Sequence, residues 1–508
     1  MTSVSDRHEG DLGGQLAHWD RRRPLRVQIV LGDTASQVAV QHTAWMLVNL
    51  LARMEGVVTA VYVHGPDVPL AERVVPLAGG LANVTARVAG MTLLDALIAG
   101  GAMINIVSVV SGSSANVDIV FELGPGPASA GSIRVHGDGW AGGITAAGSV
   151  SVGRWSALPF GPYTAACLAA GLVFLGSRAP DVAAEDDLGT PLLWSTWSLR
   201  AGELELLDDG PTTVTAGLDA GLAGVGAVGA SAMHTAWATR GLAGVLLAVD
   251  GDRRGVDETN LNRGVVFVRD SVGEQKAAAA ARRLADGEIA FVARQGRYEE
   301  QADHPGLLLS AVDRSSARAA LQARYPARVI GASTHGLRVE MLRTGPAGLG
   351  ACLRCNNEPE PVDSDEELRA RIRDAAAGEL AAVAASAGVS VEDARHWAAA
   401  GGCGAVDSAM LRALGASGNH NDEGGEFAVA FVSAFAGTLL TAEALKDAIA
   451  ADAPLSDTAN RVTFQFLRPR AVKGPHFAAR DEDCPACRPG PGREIWSRRR
   501  EGWGPARG

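Results

Sequence analysis

One arrangement of elements occurs twice in the chain, and it restricts the fold more than any other feature. Residues 27–63, VQIVLGDTASQVAVQHTAWMLVNLLARMEGVVTAVYV, read as strand, glycine turn, amphipathic helix, strand. Residues 215–250, TAGLDAGLAGVGAVGASAMHTAWATRGLAGVLLAVD, read the same way. Two strands joined through a helix run parallel, because the helix carries the chain back to the edge it left. Each half then reaches a helix thick with small residues, LPFGPYTAACLAAGLVF at 158–174 and FAVAFVSAFAGTLLTAEALK at 427–446. The pattern predicts an α/β chain of two halves, each built on a mainly parallel sheet. RAPDVAAEDDLGTP, 178–191, has the composition of a join. It sets the first domain at 1–185 and opens the second at 186.

Only the second copy carries chemistry. Gly224, Gly226 and Gly229 spell G-x-G-x-x-G between a strand and a helix, where backbone N–H groups can approach phosphates. Asp250 closes the next strand, where an acid can bind ribose hydroxyls. Those features alone would suit a nicotinamide dehydrogenase. The continuation VDGDRRGVDETNLNRGVVF, 249–267, does not. It brings Asn260 and Arg263, and SVGEQKA then brings Lys276, one of three lysines against 43 arginines. Two fixed cations near a glycine loop suit a triphosphate, whose charge must be neutralised during attack at phosphorus. LLLSAVDRSSARAALQ, 307–322, follows, with Asp313 closing an apolar run and placed to hold Mg2+.

Six cysteines are too few for a disulfide scaffold in 508 residues. Four form two Cys-x-x-Cys pairs, Cys352/Cys355 and Cys484/Cys487, a spacing at which two pairs can share one tetrahedral zinc. Cys167, in a small-residue helix, belongs to the core. A net charge of −11 argues against nucleic acid, and the N-terminus lacks an apolar signal core. With no unbroken apolar stretch of membrane length, the expectation is a cytoplasmic protein with no membrane contact.

In this order the glycine loop, strand-end Asp, N-L-x-R, V-G-x-x-K, a further Asp with Arg318 five residues on, and the two cysteine pairs resemble the ThiF-type, ubiquitin-activating superfamily. The resemblance covers roughly 210–490. It implies two Rossmann-like halves with a structural zinc clamp, and adenylation by MgATP of the C-terminal carboxylate of a ubiquitin-like or sulfur-carrier protein, or of a peptide. By motif match Asp250, with Asp252 the fallback, would bind the ribose. Asn260, Arg263 and Lys276 would contact phosphates, and Asp313 would coordinate magnesium. Two departures from the family stand out: Gly264 replaces the usual Gln, and the stretch from Asp250 to Asn260 is two residues longer than usual.

The first half keeps Gly32 but lacks the other motifs, as in relatives that pair an inactive half with an active one. The chain is then a monomeric pseudo-dimer or a homodimer. The resemblance also implies an arginine near the start of the inactive half reaching ATP, for which Arg21, Arg22, Arg23 and Arg26 are the choices. Residues 364–420 read as a helical insert ending in AAGGCGAVDSAM. Its Cys403 stands where thioester-forming relatives place their nucleophile, ahead of transfer to a conjugating enzyme. Residues 421–490 return to the adenylation domain, and 491–508 are expected to be a disordered tail. The alternatives are adenylation without an enzyme thioester, and a nonenzymatic leader-peptide-binding scaffold.

Overall fold

The computed structural model describes residues 23–77, 90–150, 155–180, 188–202, 210–301, 306–344, 350–355, 429–449, 459–471 and 474–501, with scattered positions between 373 and 395. In the first half β1 (Leu25–Leu31) buries alternate residues Val27, Ile29 and Leu31, as a strand with one face on the core must. Its chain turns at Gly32 into α1 (Val38–Leu51) and returns as β2 (Val58–His64). Next comes α2 (Leu93–Ile104), capped by Thr92 accepting from Asp95 N and stopped by Asn105 in the left-handed conformation. β3 (Ser108–Ser111), β4 (Ile119–Leu123), β6 (Ile133–Asp138) and β7 (Ala141–Thr145) follow, with a two-residue ladder of β5 (Gly126–Pro127) and β8 (Ser149–Val150) outside the main sheet. Helix α3 (Phe160–Arg178) then leads to β9 (Leu192–Ser195) and β10 (Arg200–Ala201). The eight strands lie in the order β10-β9-β7-β6-β4-β1-β2-β3.

The second half repeats this plan. β11 (Ala216–Ala223), α4 (Ala227–Ala238) and β12 (Leu242–Asp250) are followed by α5 (Glu258–Leu261), α6 (Lys276–Arg283) and β13 (Ile289–Gln295). β14 (Leu307–Ser310), α7 (Ser315–Ala323), β15 (Arg328–His335) and β16 (Arg338–Thr344) come next. Helix α8 (Ala430–Ala448) precedes β17 (Arg461–Gln465). The order is β13-β12-β11-β14-β15-β16-β17. In both sheets the first strand lies between the second and fourth, five strands run parallel, and the strands beyond them run antiparallel. Helix α3 sits between β7 and β9 as α8 sits between β16 and β17. The two Rossmann-like halves expected from the sequence are therefore matched in topology, the first sheet carrying one further edge strand, β10.

Two boundaries differ from expectation. β9 pairs with β7 and β10 with β9, so the first sheet runs to Ala201 and the join lies between Ala201 and Ala216, beyond the expected 185/186. The polar stretch 178–191 therefore precedes a strand of the first sheet and does not end the first half. At the far end, Pro491–Glu501 form helix α9 where a disordered tail was expected. Trp496 is buried among the zinc-type cysteines and beside Tyr325, which gives the segment an apolar anchor its basic composition conceals.

The core lies where the halves meet. Helix α3 is long and apolar enough to cross a membrane by length and composition, and 89% of that stretch is buried within the protein. It packs on α8 through Phe174 and Phe431, whose ring centroids are 5.6 Å apart. Around them Trp194, Phe435, Phe464 and Phe466 close an aromatic cluster drawn from both halves. Lys446 of α8 is buried; it pairs with Glu443 and donates to the Thr196 and Trp197 carbonyls of the first half.

Candidate functional site

An open α/β sheet binds ligands outside the carboxyl ends of its strands, at the point where strand order reverses. Here that point lies between β11 and β14. After β11 the chain turns at Gly224 with φ +88°, a left-handed conformation that favours glycine. The Ala311 carbonyl would lie 2.8 Å from a Cβ on Gly224, so the segment leading to Asp313 rests on the glycine turn. A Cβ on Gly229 would meet the Gly224 carbonyl at 2.0 Å; its absence lets α4 sit against the strand. Gly226 precedes α4, and a Cβ there would meet no atom within 4 Å. Of the three glycines it is the one open to a ligand.

Asp250 ends β12 and ties this loop down. Its Oδ2 accepts from Val225 N at 2.6 Å and its Oδ1 from Asp252 N at 2.9 Å. Carboxylate oxygens carry further lone pairs, so hydroxyls can still be accepted there. Asp252 does something else: its Oδ2 holds the Lys276 ammonium at 2.7 Å, and its Oδ1 accepts from Arg254 N at 2.9 Å. Burial works against ionisation of Asp252, yet the bonds from Lys276 and Arg254 N outweigh it and hold the carboxyl down at about 2. Lys276 is the first residue of α6 and is buried.

The N-L-N-R stretch is built as a capped turn. Asp257 accepts from Asn260 N at 3.0 Å while Asn260 Oδ1 accepts from Asp257 N at 3.0 Å, a capping box that uses the amide oxygen of Asn260 for structure. The preceding residues pair with the approach to α6, through Val256 N to the Glu274 carbonyl and Gly273 N to the Val256 carbonyl, both 2.8 Å. Half-buried Arg263 follows the turn. Strand β14 ends at Ser310, three residues before Asp313, which is exposed beyond the strand end instead of closing it.

The first half reaches this segment from behind. Arg53, just past α1, is fully buried and donates to the Leu261 carbonyl at 2.5 Å and the Val265 carbonyl at 3.0 Å. Asn49 orients it, accepting from Arg53 Nε at 2.7 Å and donating from Nδ2 to the same Val265 carbonyl at 3.0 Å. Burial, and then the nearby charge of Arg283, lower the Arg53 pKa to about 9, which leaves it cationic at neutral pH. Of the arginines expected to reach ATP, Arg23 and Arg26 engage Asp118 of their own half, and Arg21 and Arg22 lie outside the described residues. Cys403 and most of the insert also lie outside them; Leu380, Ala384 and Ala394 are buried helical positions.

Asn49 and Arg53 were not found by motif reading. The signal was the tetrapeptide His-Thr-Ala-Trp, present at 42–45 and 234–237 and in each case beginning ten residues after the turn glycine, Gly32 or Gly224. It aligns the two helices and marks them as an interface. Trp45 Nε1 donates to His234 Nε2 at 3.2 Å, and Tyr163 stacks on His234 and meets His42 edge-on. The same registration shows what the first half lost. Val30 pairs with His64 and Leu222 with Ala248, so Pro66 stands where the second half has Asp250.

Away from the glycine loop, Cys352, Cys355, Cys484 and Cys487 converge, all buried, with their Sγ atoms within 4.8 Å of one another. Three Sγ separations are 3.5, 3.7 and 3.8 Å. A tetrahedron with Zn–S of about 2.3 Å has edges of about 3.75 Å, so the donor set fits that ion. Arg354 N and Asp481 N point at the sulfurs of Cys352 and Cys355, each at 3.4 Å, as N–H groups around thiolate ligands do.

The sequence profile of the ThiF family matches residues 217–486. No curated protein matches the chain. Among solved structures, E. coli MccB is similar with 16% identity and a TM-score of 0.35, over 54% of this chain and 66% of that one. E. coli MccB with ATP gives 16%, 0.34 and the same coverage, and E. coli MccB with MccA-N7isoASN gives 15%, 0.35, 53% and 66%. The match thus spans slightly under two thirds of the length of those chains.

Proposed function

Because the chain belongs to the ThiF family, we propose that its second half activates the C-terminal carboxylate of a protein or peptide by adenylation. A carboxylate oxygen attacks the α-phosphorus of ATP, the bond to the bridging oxygen breaks, and pyrophosphate leaves with that electron pair. The observation that carries this reading is the hydrogen-bonded set at the strand ends: Asp250 on the glycine loop, and Lys276 on Asp252 beside it. In this reading the loop N–H groups and α4 cradle phosphates, Asp250 accepts the ribose hydroxyls, and Lys276 and Arg263 stabilise charge on the phosphoryl oxygens. Asp313, exposed at the same edge, would hold magnesium, which supplies further positive charge to the phosphates. The four cysteines would hold one zinc, whose work is to fasten 350–355 to 478–496.

For the finer steps we propose a ubiquitin-like carboxylate donor, and passage of the acyl group from the adenylate to the Cys403 sulfur with release of AMP. Its support is the position of Cys403 between the two cysteine pairs. A conjugating enzyme would take the acyl group next.

Pyrophosphate exchange into ATP, with a panel of Gly-Gly-ended proteins and short peptides as donors, tests the first step. Exchange is expected with one donor class, and Arg263→Ala should lower it by about 100-fold. Nicotinamide binding without exchange for any donor would end the proposal. Cys403→Ala should keep exchange and lose a thiol-sensitive adduct; an adduct that persists removes Cys403 from the scheme. Metal analysis should find about one zinc per chain, and its removal by a chelator should lower the thermal midpoint.

A further inference from the structure

We infer that Arg53, supplied by the half that has no site of its own, is a positioning residue for the phosphate-contacting turn of the other half. The inference rests on the adenylation reading above and deepens it. A guanidinium is planar and presents several donors in a fixed fork. Arg53 spends that fork on two carbonyls, Leu261 and Val265, which bracket Asn262, Arg263 and Gly264. Asn49 holds the guanidinium from the other side and adds its own bond to the Val265 carbonyl. Both residues are fully buried, and no carboxylate pairs with Arg53 among the described residues. A buried cation without a counter-ion is costly to keep. Its hydrogen bonds go to backbone that includes the arginine whose placement the reaction needs. From its own half the turn is held by the Asp257–Asn260 box and by local backbone bonds such as Gly264 N to the Asn260 carbonyl at 2.8 Å; Arg53 adds the tie from the other half. Clamped on both sides, the Arg263 backbone has no freedom to carry its side chain away from the phosphates.

Such a role makes a specific demand: losing the clamp should cost binding energy from phosphates and spare binding energy from the nucleoside, which Asp250 receives on β12. The experiment compares MgATP and adenosine, titrated calorimetrically into the full chain, for wild type and Arg53→Lys. A lysine keeps the charge but reaches a single carbonyl. Affinity for MgATP should fall by about tenfold while adenosine affinity stays within about twofold. Asn49→Leu removes one carbonyl bond and the orienting acceptor while leaving Arg53 in place. It should move the same ratio in the same direction, which keeps the test available if Arg53→Lys does not fold. Equal weakening of both ligands would mean that Arg53 merely supports the fold, and unchanged MgATP affinity in a folded variant would mean that it positions nothing. Wild-type protein that binds MgATP no tighter than adenosine would instead remove the reading of the site beneath this one.

Discussion

Lys276 and Asp252 are the pair in which single-residue chemistry speaks most directly. In a chain where lysine is rare, one is buried against a carboxylate held down at about 2. An unfolded aspartate titrates near 4, so the contribution of this pair is complete above that pH and disappears as pH falls toward about 2. Urea midpoints of wild type and Lys276→Met should therefore differ by a constant amount between pH 5 and 9. A gap that widens or closes over that range would mean the pairing is wrong. The same substitution should lower pyrophosphate exchange by about 100-fold. Much of this was readable beforehand, because glycines, acids and cations of fixed order have few other uses. What the letters could not decide was whether Asp250 or Asp252 served the loop, since two extra residues follow them before Asn260. Hydrogen bonding separates the two: Asp250 takes Val225 N and Asp252 takes the lysine.

Among the elements, the glycine turn and α4 offer the sharpest contrast. Gly226→Ala adds a methyl group into open space, so the unfolding free energy from urea titration should stay within about 0.5 kcal/mol of wild type. Phosphate approach should nevertheless be obstructed, and MgATP affinity should drop. Gly229→Ala drives a methyl group into the Gly224 carbonyl and should cost about 1–3 kcal/mol of stability as well as binding. Equal behaviour of the two variants would refute the division of labour. Strand and helix order was legible because periodicity of apolar residues encodes it locally. Where the first half ended was not, because β9 joins its sheet through pairing with β7, a contact that no local composition announces. Helix α9 escaped notice for a related reason: one tryptophan in a basic, Pro- and Gly-rich stretch carries its anchorage.

At the scale of the molecule, the halves meet across His42, Trp45, Tyr163 and His234. Burial first, and then Arg240, push His42 down to about 3. Burial, followed by His42, Arg53 and Arg283, does the same to His234. Both rings stay neutral in the folded chain and take up protons near pH 6.5 once unfolded. Stability from this source is whole above about 6.5 and is lost as pH falls toward about 3, at up to about 1.4 kcal/mol per pH unit for each ring. His234→Gln retains an acceptor for Trp45 and abolishes one titration, so the slope of unfolding free energy between pH 6 and 5 should flatten by about that amount. An unchanged slope would clear His234 of the effect. This contact was written in the repeated His-Thr-Ala-Trp, yet a motif search for catalytic residues passes over it because neither copy touches the glycine loop.

Fusion of the two halves has a consequence for Arg53. In a two-fold homodimer every substitution at the contact is made twice, so a lone charge on one side must be tolerated on both. Here Arg53 of one half clamps the Leu261 and Val265 carbonyls that bracket Arg263, and the N-L-x-R sequence of that turn has no copy in the half that supplies Arg53. A tandem chain can mutate one partner of its internal junction and leave the other untouched. It thereby gains an asymmetry that identical subunits are forbidden.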